Sequence, residues 1–231
     1  DRVTVVSDWL ATATHEKLAP DQNLKTIPNA VDCKTFSPQQ ANPQLRARFA
    51  APEELLVAHV SNFRPVKRVQ DVVSAFARAT RDSSARLLMI GQGPDLSLAQ
   101  DQARKLGVSE KIFWLGPIDD IASLLACCDL FLLPSESESF GLAALEAMAS
   151  GLPVVSTLSG GIPEVVTAGE TGFLAEVGDV DALAEYCRVL LTDAQLRAKM
   201  SETARQKAAS QFGWDQVLRE YEKTYEELLS P

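Results

Sequence analysis

Short apolar segments recur along this chain, and longer segments with helical periodicity lie between them. Residues 55–60 and 129–133 are two such segments, rich in leucine, valine and phenylalanine and followed by polar loops. Short apolar runs of this kind are typical of strands that are buried on both faces of a sheet. Strands that alternate with helices pair in parallel through right-handed crossovers. The chain is therefore predicted to form an α/β domain with a Rossmann-like, doubly wound parallel sheet.

Further strands are predicted at residues 2–6, 23–27, 86–90, 112–115, 153–156 and 172–174. From residue 181 three helices follow without a strand, and the last one, over 214–229, carries an apolar and aromatic stripe. This stripe packs either on the helices of the same domain or on a domain outside the chain. We accordingly predict a Rossmann-like nucleotide-sugar-binding domain over 1–211 and a C-terminal helix over 212–231 that crosses to a missing N-terminal domain.

The charge of the chain limits its partners. The net charge of -9 argues against nucleic acid or an anionic membrane as the main partner. No apolar run is as long as a membrane span and no signal peptide opens the chain, so a cytoplasmic protein is predicted. The first residue is Asp1 and a strand follows at once, which suggests a piece of a longer protein.

A metal site is not expected. The chain has two histidines, His15 and His59, and its cysteines lack zinc-site spacing. Buried thiols are predicted at Cys33, Cys127, Cys128 and Cys187. Asp179 and Asp181 match the Asp-x-Asp motif of metal-dependent sugar transferases. They lie at the start of a predicted helix, so capping of that helix is the better interpretation.

The loop after residues 129–133 leads into a helix that begins near Gly141. A helix N-terminus offers unpaired N–H groups and a positive dipole end, which favour a bound phosphate. Glu138 precedes this helix and Glu146 lies inside it, so they do not line one helical face. They either accept hydrogen bonds from hydroxyls on different parts of one ligand, or Glu138 favours the helix start and Glu146 is solvated.

Arg64 and Lys67 place two positive charges after the strand 55–60. A diphosphate is the natural ligand for this pair. The alternative is a solvated helix start, although cations oppose the dipole there. Gly91 and Gly93 form half of a dinucleotide fingerprint and suit a tight turn beside a nucleoside better than an NAD site. The turn 160–161 lets the main chain approach a ligand, or is a plain αβ turn.

Together these residues resemble the signatures of the retaining GT-B glycosyltransferases of family GT4. Arg64 pairs with Lys67, and seven residues separate Glu138 from Glu146. Segments 1–7, 59–64, 66–72 and 160–165 are similar to those of the family's bacillithiol-pathway members. The resemblance covers the second half of such enzymes. It implies the donor-binding domain, with an N-terminal Rossmann domain as its missing partner.

The resemblance also implies roles for single residues. Arg64 and Lys67 would hold the diphosphate of UDP-N-acetylglucosamine and stabilise charge on the leaving phosphate, and Glu138 would bind the sugar; these three are the predicted catalytic residues. Glu146 would accept from the ribose hydroxyls. Further donor-binding positions are predicted at Asn62, Gly91, Gly93, Gly116, Ile118, Ser139, Phe140, Gly141 and Leu142. The resemblance implies no metal and no cofactor.

The acceptor implied by this resemblance is L-malate. Another acceptor, such as inositol phosphate or a lipid-linked sugar, is the nearest alternative. A nucleotide-sugar-binding module without catalysis is an alternative of a different class. The chain by itself is expected to bind UDP or UDP-N-acetylglucosamine weakly and to transfer nothing.

Overall fold

The chain begins with a small strand-helix-strand unit. A computed structural model describes residues 2–18, 23–81 and 83–229. Strand β1 (Val3–Val5), helix α1 (Asp8–Lys17) and strand β2 (Leu24–Thr26) follow one another, and β1 pairs with β2 in parallel. The Ser7 hydroxyl accepts a hydrogen bond from the N–H of Leu10 and so caps α1. The predicted strands at 2–6 and 23–27 and the cap at Ser7 are confirmed.

The main sheet has six parallel strands, as the apolar segments predict. They are β3 (Leu55–Val60), β4 (Ala85–Ile90), β5 (Ile112–Gly116), β6 (Leu130–Leu133), β7 (Val154–Thr157) and β8 (Gly172–Ala175). Their order in the sheet is β5-β4-β3-β6-β7-β8, and all neighbouring pairs are parallel. The strand order reverses between β3 and β6, which is the topological switch point of a Rossmann-like sheet.

Helices cover both faces of this sheet. They are α2 (Pro43–Arg46), α3 (Val69–Ala79), α4 (Leu96–Lys105), α5 (Ile121–Ala126), α6 (Leu142–Ala149), α7 (Ile162–Val165), α8 (Val180–Thr192), α9 (Ala194–Phe212) and α10 (Trp214–Leu229). Successive strand residues alternate between two cores. Phe131 and Leu133 face α5, α6 and α9, whereas Leu130 and Leu132 face α3, α4 and α8. This alternation explains why the strands are apolar throughout.

Helix α10 packs partly on the domain that precedes it. Val217 and Thr224 are buried, and the carboxylate of Glu227 lies 3.5 Å from the ammonium of Lys25, at the end of the small sheet. The aromatic side chains of Trp214 and Tyr225 are 59% and 62% exposed. The domain boundary at 211/212, and a crossing to another domain, remain predictions.

Two predictions about side chains away from the main sheet have clear outcomes. Asp179 caps α8 by accepting from the N–H of Ala182, as predicted. Three of the cysteines are buried, but Cys33 is only partly buried, so the prediction of a buried thiol is wrong there. Cys33 lies in a polar turn after β2 and not in an apolar segment, which explains the difference. No helix in the described parts of the chain is both long and apolar enough to cross a bilayer.

Candidate functional site

Lys67 and Glu138 meet at the switch point of the sheet. Lys67 follows β3 and Glu138 follows β6, and the ammonium nitrogen of Lys67 lies 2.6 Å from Oε1 of Glu138. The two side chains are only 19% and 13% exposed. Ligands of doubly wound sheets bind outside the carboxyl ends of the strands at such a point. Two residues that are predicted from separate motifs therefore lie together where a ligand is expected.

The loop after β3 is held in an unusual backbone conformation. Phe63 and Arg68 have φ angles of 42° and 49°, a region that residues other than glycine seldom adopt. The buried ring of Phe63 anchors the first of these positions. The guanidinium of Arg68 holds the second, since its Nε lies 2.6 Å from the carboxylate of Asp71. Between them, a 3₁₀ turn over Pro65–Lys67 directs Lys67 towards Glu138.

Arg64 starts this turn and is exposed. No ion pair of Arg64 is found within the described ranges. Its guanidinium is thus available at the same strand end as Lys67, as a fork of N–H donors suited to phosphate oxygens.

The loop after β6 is fixed by a chain of hydroxyl groups. The hydroxyl of Ser135 donates to Oε1 of Glu138 at 2.7 Å. The carbonyl oxygen of Ser135 accepts from the hydroxyls of Thr157 at 2.5 Å and Ser159 at 3.2 Å. Because Ser135, Thr157 and Ser159 are buried, these bonds hold the Glu138 carboxylate in place before any ligand arrives.

Glycines allow the loops of the site to touch through their backbones. A Cβ on Gly160 would lie 1.8 Å from the carbonyl oxygen of Glu138, and Gly160 has a φ of 59°. The next residue, Gly161, donates its N–H to that same carbonyl at 2.9 Å. The turn 160–161 thus supports the Glu138 loop through close backbone packing. The approach of this turn to a ligand stays a prediction.

Helix α6 points its N-terminus at the site. Gly141 precedes it with a φ of 98°. Within the described residues, the N–H groups of Phe140, Gly141 and Leu142 have no hydrogen-bond acceptor in the chain. The side chain of Phe140 is buried and its ring stands edge-on to that of Phe212, so only its backbone is available to a ligand. This arrangement of N–H groups is suited to an anion.

Glu146 lies further along α6 and is partly buried. Burial raises the pKa of its carboxyl group to about 7. Within the described residues this carboxyl has no hydrogen-bond or ion-pair partner. A ligand that donates hydroxyl groups to Glu146 would favour the ionised form and would supply the partner that the side chain lacks.

A cleft of about 310 Å³ opens beside the loop after β3. Its lining includes Asn62, Gly91 and Ile118, three of the predicted donor-binding residues, and also Pro117 and Ile121. Gly116 and Gly93 shape the cleft from behind: the carbonyl of Gly116 accepts from Gly91, and Gly93 packs against the carbonyl of Asn62. A nucleobase, which is flat and partly apolar, would fit a cleft with this lining. Ser139 lies apart from the cleft, at the rim formed by the loop after β6, and is exposed.

Several supporting residues escape prediction from the sequence. His59 is buried in β3, and its Nε2 lies 2.7 Å from the Ser61 hydroxyl, which accepts from the N–H of Phe63. Ser135, Thr157 and Ser159 are the others. A polar residue inside an apolar strand, as His59 is, would have been the signal. The hydroxyls carry no such signal, because Ser135 and Ser159 lie in loops, where serine is common, and Thr157 ends β7, where threonine is an ordinary strand residue.

Comparison with known proteins assigns the family. The family model for glycosyl transferases group 1 matches residues 42–207. The chain belongs to this family. Its members that are similar over nearly the whole chain include the N-acetyl-alpha-D-glucosaminyl L-malate synthase of Bacillus anthracis, at 41% identity over 99% of the chain. The D-inositol 3-phosphate glycosyltransferase of Corynebacterium glutamicum is 29% identical over 97% of the chain.

Solved structures of glycosyltransferases have the same fold. Anabaena Alr3699/HepE in complex with UDP-glucose matches 98% of the chain with a TM-score of 0.87 and 26% identity, and 64% of its own chain is covered. The sucrose-phosphate synthase from Thermosynechococcus elongatus matches with a TM-score of 0.86, 25% identity and a coverage of 99% of this chain and 58% of its own. The predicted GT-B domain fold is confirmed. The chain spans 60% of the length of the Bacillus anthracis protein and 58% of the Corynebacterium protein.

Proposed function

We propose that the chain is the donor-binding half of a retaining glycosyltransferase of family GT4 that moves N-acetylglucosamine from UDP-N-acetylglucosamine to L-malate, the first step of bacillithiol synthesis. The observation that carries this proposal is the meeting of Lys67 and Glu138 at the switch point, beside the N–H groups at the start of α6. Cation, carboxylate and amide donors are the groups that a diphosphate-linked sugar needs. The 41% identity to the Bacillus anthracis synthase supports the choice of donor and acceptor.

In the proposed reaction, the bond between the anomeric carbon and the β-phosphate oxygen breaks, and the electron pair leaves with UDP. Arg64 and Lys67 stabilise the charge that develops on this phosphate. Glu138 holds the sugar hydroxyls, so it orients the donor for attack from the same face. The malate hydroxyl oxygen forms the new bond and gives its proton to the leaving phosphate. No metal or cofactor is assigned to this reaction.

The rest of the donor would occupy the neighbouring groups. Uracil enters the cleft between Asn62, Gly91 and Ile118, and the ribose hydroxyls donate to Glu146. The acceptor pocket belongs mainly to the N-terminal Rossmann domain that we propose as the partner of this chain, with the exposed aromatic face of α10 as one contact. The cytosol is the proposed compartment.

Calorimetry with the 231-residue chain tests the donor half of this proposal. UDP at millimolar concentration should bind weakly, and folded protein that gives no heat with UDP or UDP-N-acetylglucosamine would contradict it. For the acceptor, the full-length protein is mixed with UDP-N-acetylglucosamine and L-malate, D-malate or inositol 3-phosphate, and UDP release is measured. Release with L-malate alone supports the malate assignment.

A second acceptor class has support from similarity. The Corynebacterium relative is named for D-inositol 3-phosphate. Release of UDP with inositol 3-phosphate and not with malate would mean that the acceptor is an inositol phosphate. Binding without release for any acceptor would favour a nucleotide-sugar-binding module.

A further inference from the structure

Ser7 connects the N-terminal unit of the chain to the loop that carries Glu138. Its side chain is fully buried. The hydroxyl accepts from the N–H of Leu10, which caps α1, and donates to the carbonyl oxygen of Ser139 at 2.5 Å. Ser7 and Ser139 are 132 residues apart in sequence. A residue whose type is fully explained by helix capping therefore makes a second bond that capping does not require.

The bond fixes the direction of one peptide group in the site. The carbonyl of Ser139 and the N–H of Phe140 belong to the same planar trans peptide and point in opposite directions. Because Ser7 holds the carbonyl on the side of α1, the N–H of Phe140 faces away from α1. It is one of the N–H groups that have no acceptor within the described residues.

The surroundings of Ser7 are built for close contact. A Cβ on Gly161 would lie 3.0 Å from Cβ of Ser7 and 2.6 Å from the carbonyl oxygen of Ser139. The N-terminus of α1 is tied a second time by Glu164, whose carboxylate accepts from the N–H groups of Asp8 and Trp9 at 2.9 and 2.8 Å. Helix α1 therefore cannot move away from Ser139 without breaking several bonds.

We infer that Ser7 is a positioning residue for donor binding: its hydroxyl orients the Ser139–Phe140 peptide so that the Phe140 N–H points at the diphosphate-sugar part of the donor. This inference rests on the proposed function. Without the hydroxyl the peptide loses its hydrogen bond to α1, and a rotation that turned its carbonyl towards the site would repel the anionic ligand. The proposed function places uracil in the cleft beside Asn62 and the ribose at Glu146, so the binding of uridine should not depend on Ser7.

Ser7→Gly tests the inference, because glycine is nearly as good a helix cap as serine but has no hydroxyl to donate. Affinities for UDP-N-acetylglucosamine and for uridine are measured by calorimetry or ligand-observed NMR. We expect the affinity for the UDP-sugar to fall about tenfold, the effect of one charge-assisted hydrogen bond, and that for uridine to change less than about twofold. Ser7→Ala should weaken the binding of the UDP-sugar relative to uridine by the same factor, with a larger drop in Tm.

Ser37→Gly is the matched control. Ser37 is also a buried serine at a helix start, capping the 3₁₀ turn Pro38–Gln40. The next residue, Pro38, packs on Gly151, beyond the C-terminal end of α6 and away from the site. Ser37→Gly should leave the affinities for UDP-N-acetylglucosamine and for uridine unchanged. Equal losses for both ligands in Ser7→Gly, or no loss for either, would overturn the inference. Wild-type protein that binds neither ligand would instead overturn the proposed function.

Discussion

The Nδ1 atom of His59 lies 2.8 Å from the carbonyl oxygen of Leu132, across the switch point between β3 and β6. A carbonyl only accepts, so Nδ1 carries the proton, and in the neutral ring Nε2 accepts from the Ser61 hydroxyl. Burial lowers the pKa of His59 to about 4, with a smaller contribution from the charge of Lys67 and an opposing one from the Leu132 carbonyl. The folded protein therefore keeps this histidine neutral.

Neutral His59 makes the stability depend on pH. Its folded pKa of about 4 is below the ordinary 6.5, so its contribution is complete above pH 6.5 and is lost as the pH falls towards 4. Between about pH 7.5 and 5.5, wild type should lose about 1 kcal/mol more unfolding free energy than His59→Gln. Urea unfolding measures this difference. Parallel curves for His59→Gln and wild type would contradict the prediction.

Donor binding should release a proton from Glu146. Burial raises the pKa of this carboxyl to about 7, and hydroxyl groups that donate to it favour the ionised form. The affinity for UDP-N-acetylglucosamine should therefore increase as the pH rises through about 6 to 8. The UDP-sugar is the suitable ligand because its diphosphate has no phosphate monoester, whose second pKa is about 6.

Calorimetry in buffers of different ionisation enthalpy counts the protons released. Glu146→Gln should abolish the release and weaken binding. Glu110→Gln is the control. Glu110 is exposed and precedes β5, so it lies at the amino ends of the strands, whereas the site lies at their carboxyl ends. A proton count that is unchanged in Glu146→Gln would remove Glu146 from the ligand site.

Gly160→Ala should weaken UDP binding far more than Gly169→Ala does. The added methyl group would lie 1.8 Å from the carbonyl oxygen of Glu138, so the Glu138 loop must shift. Gly169 also has a positive φ, of 81°, but nothing lies within 4 Å of its added Cβ. Gly169→Ala should cost about 1 kcal/mol of backbone strain and preserve UDP binding. Similar affinities for the two variants would contradict the packing argument.

The two cations should matter for the diphosphate and not for the nucleoside. Arg64→Gln and Lys67→Gln should each weaken UDP binding by about tenfold or more, because each removes a charged contact to phosphate. Uridine binding should change little. Arg78→Gln, which breaks an exposed pair with Asp181 on α8, serves as the charge-matched control. Equal losses of UDP and uridine would mean that the diphosphate lies elsewhere.

The sequence predicts those parts of the molecule that depend on local patterns. The strands are evident because both of their faces are buried, which makes residues such as Phe131 and Leu132 apolar without interruption. Helix α2 (Pro43–Arg46) was not predicted, although Asn42 caps it and Pro43 suits its first position. Four residues are too few for a periodic apolar pattern to show.

The contacts that hold the site are not local, and for that reason the sequence does not reveal them. Lys67 and Glu138 can be predicted as ligand-binding residues, but their direct contact depends on the strand order. The partner of His59 is a backbone carbonyl on another strand, and that of Ser7 is a carbonyl 132 residues away. Every residue has a backbone carbonyl, so a carbonyl partner cannot be recognised from the residue types in the sequence.

The reversal of strand order also determines when the site forms during folding. Lys67 and Glu138 are 71 positions apart, and they meet only after the segment that contains β3, β4 and β5 has docked against the one that begins with β6. Such long-range pairing closes large loops and is slow compared with local folding. A growing chain thus holds both cations long before it holds their carboxylate, and capture of nucleotide would report that the two halves of the sheet have joined.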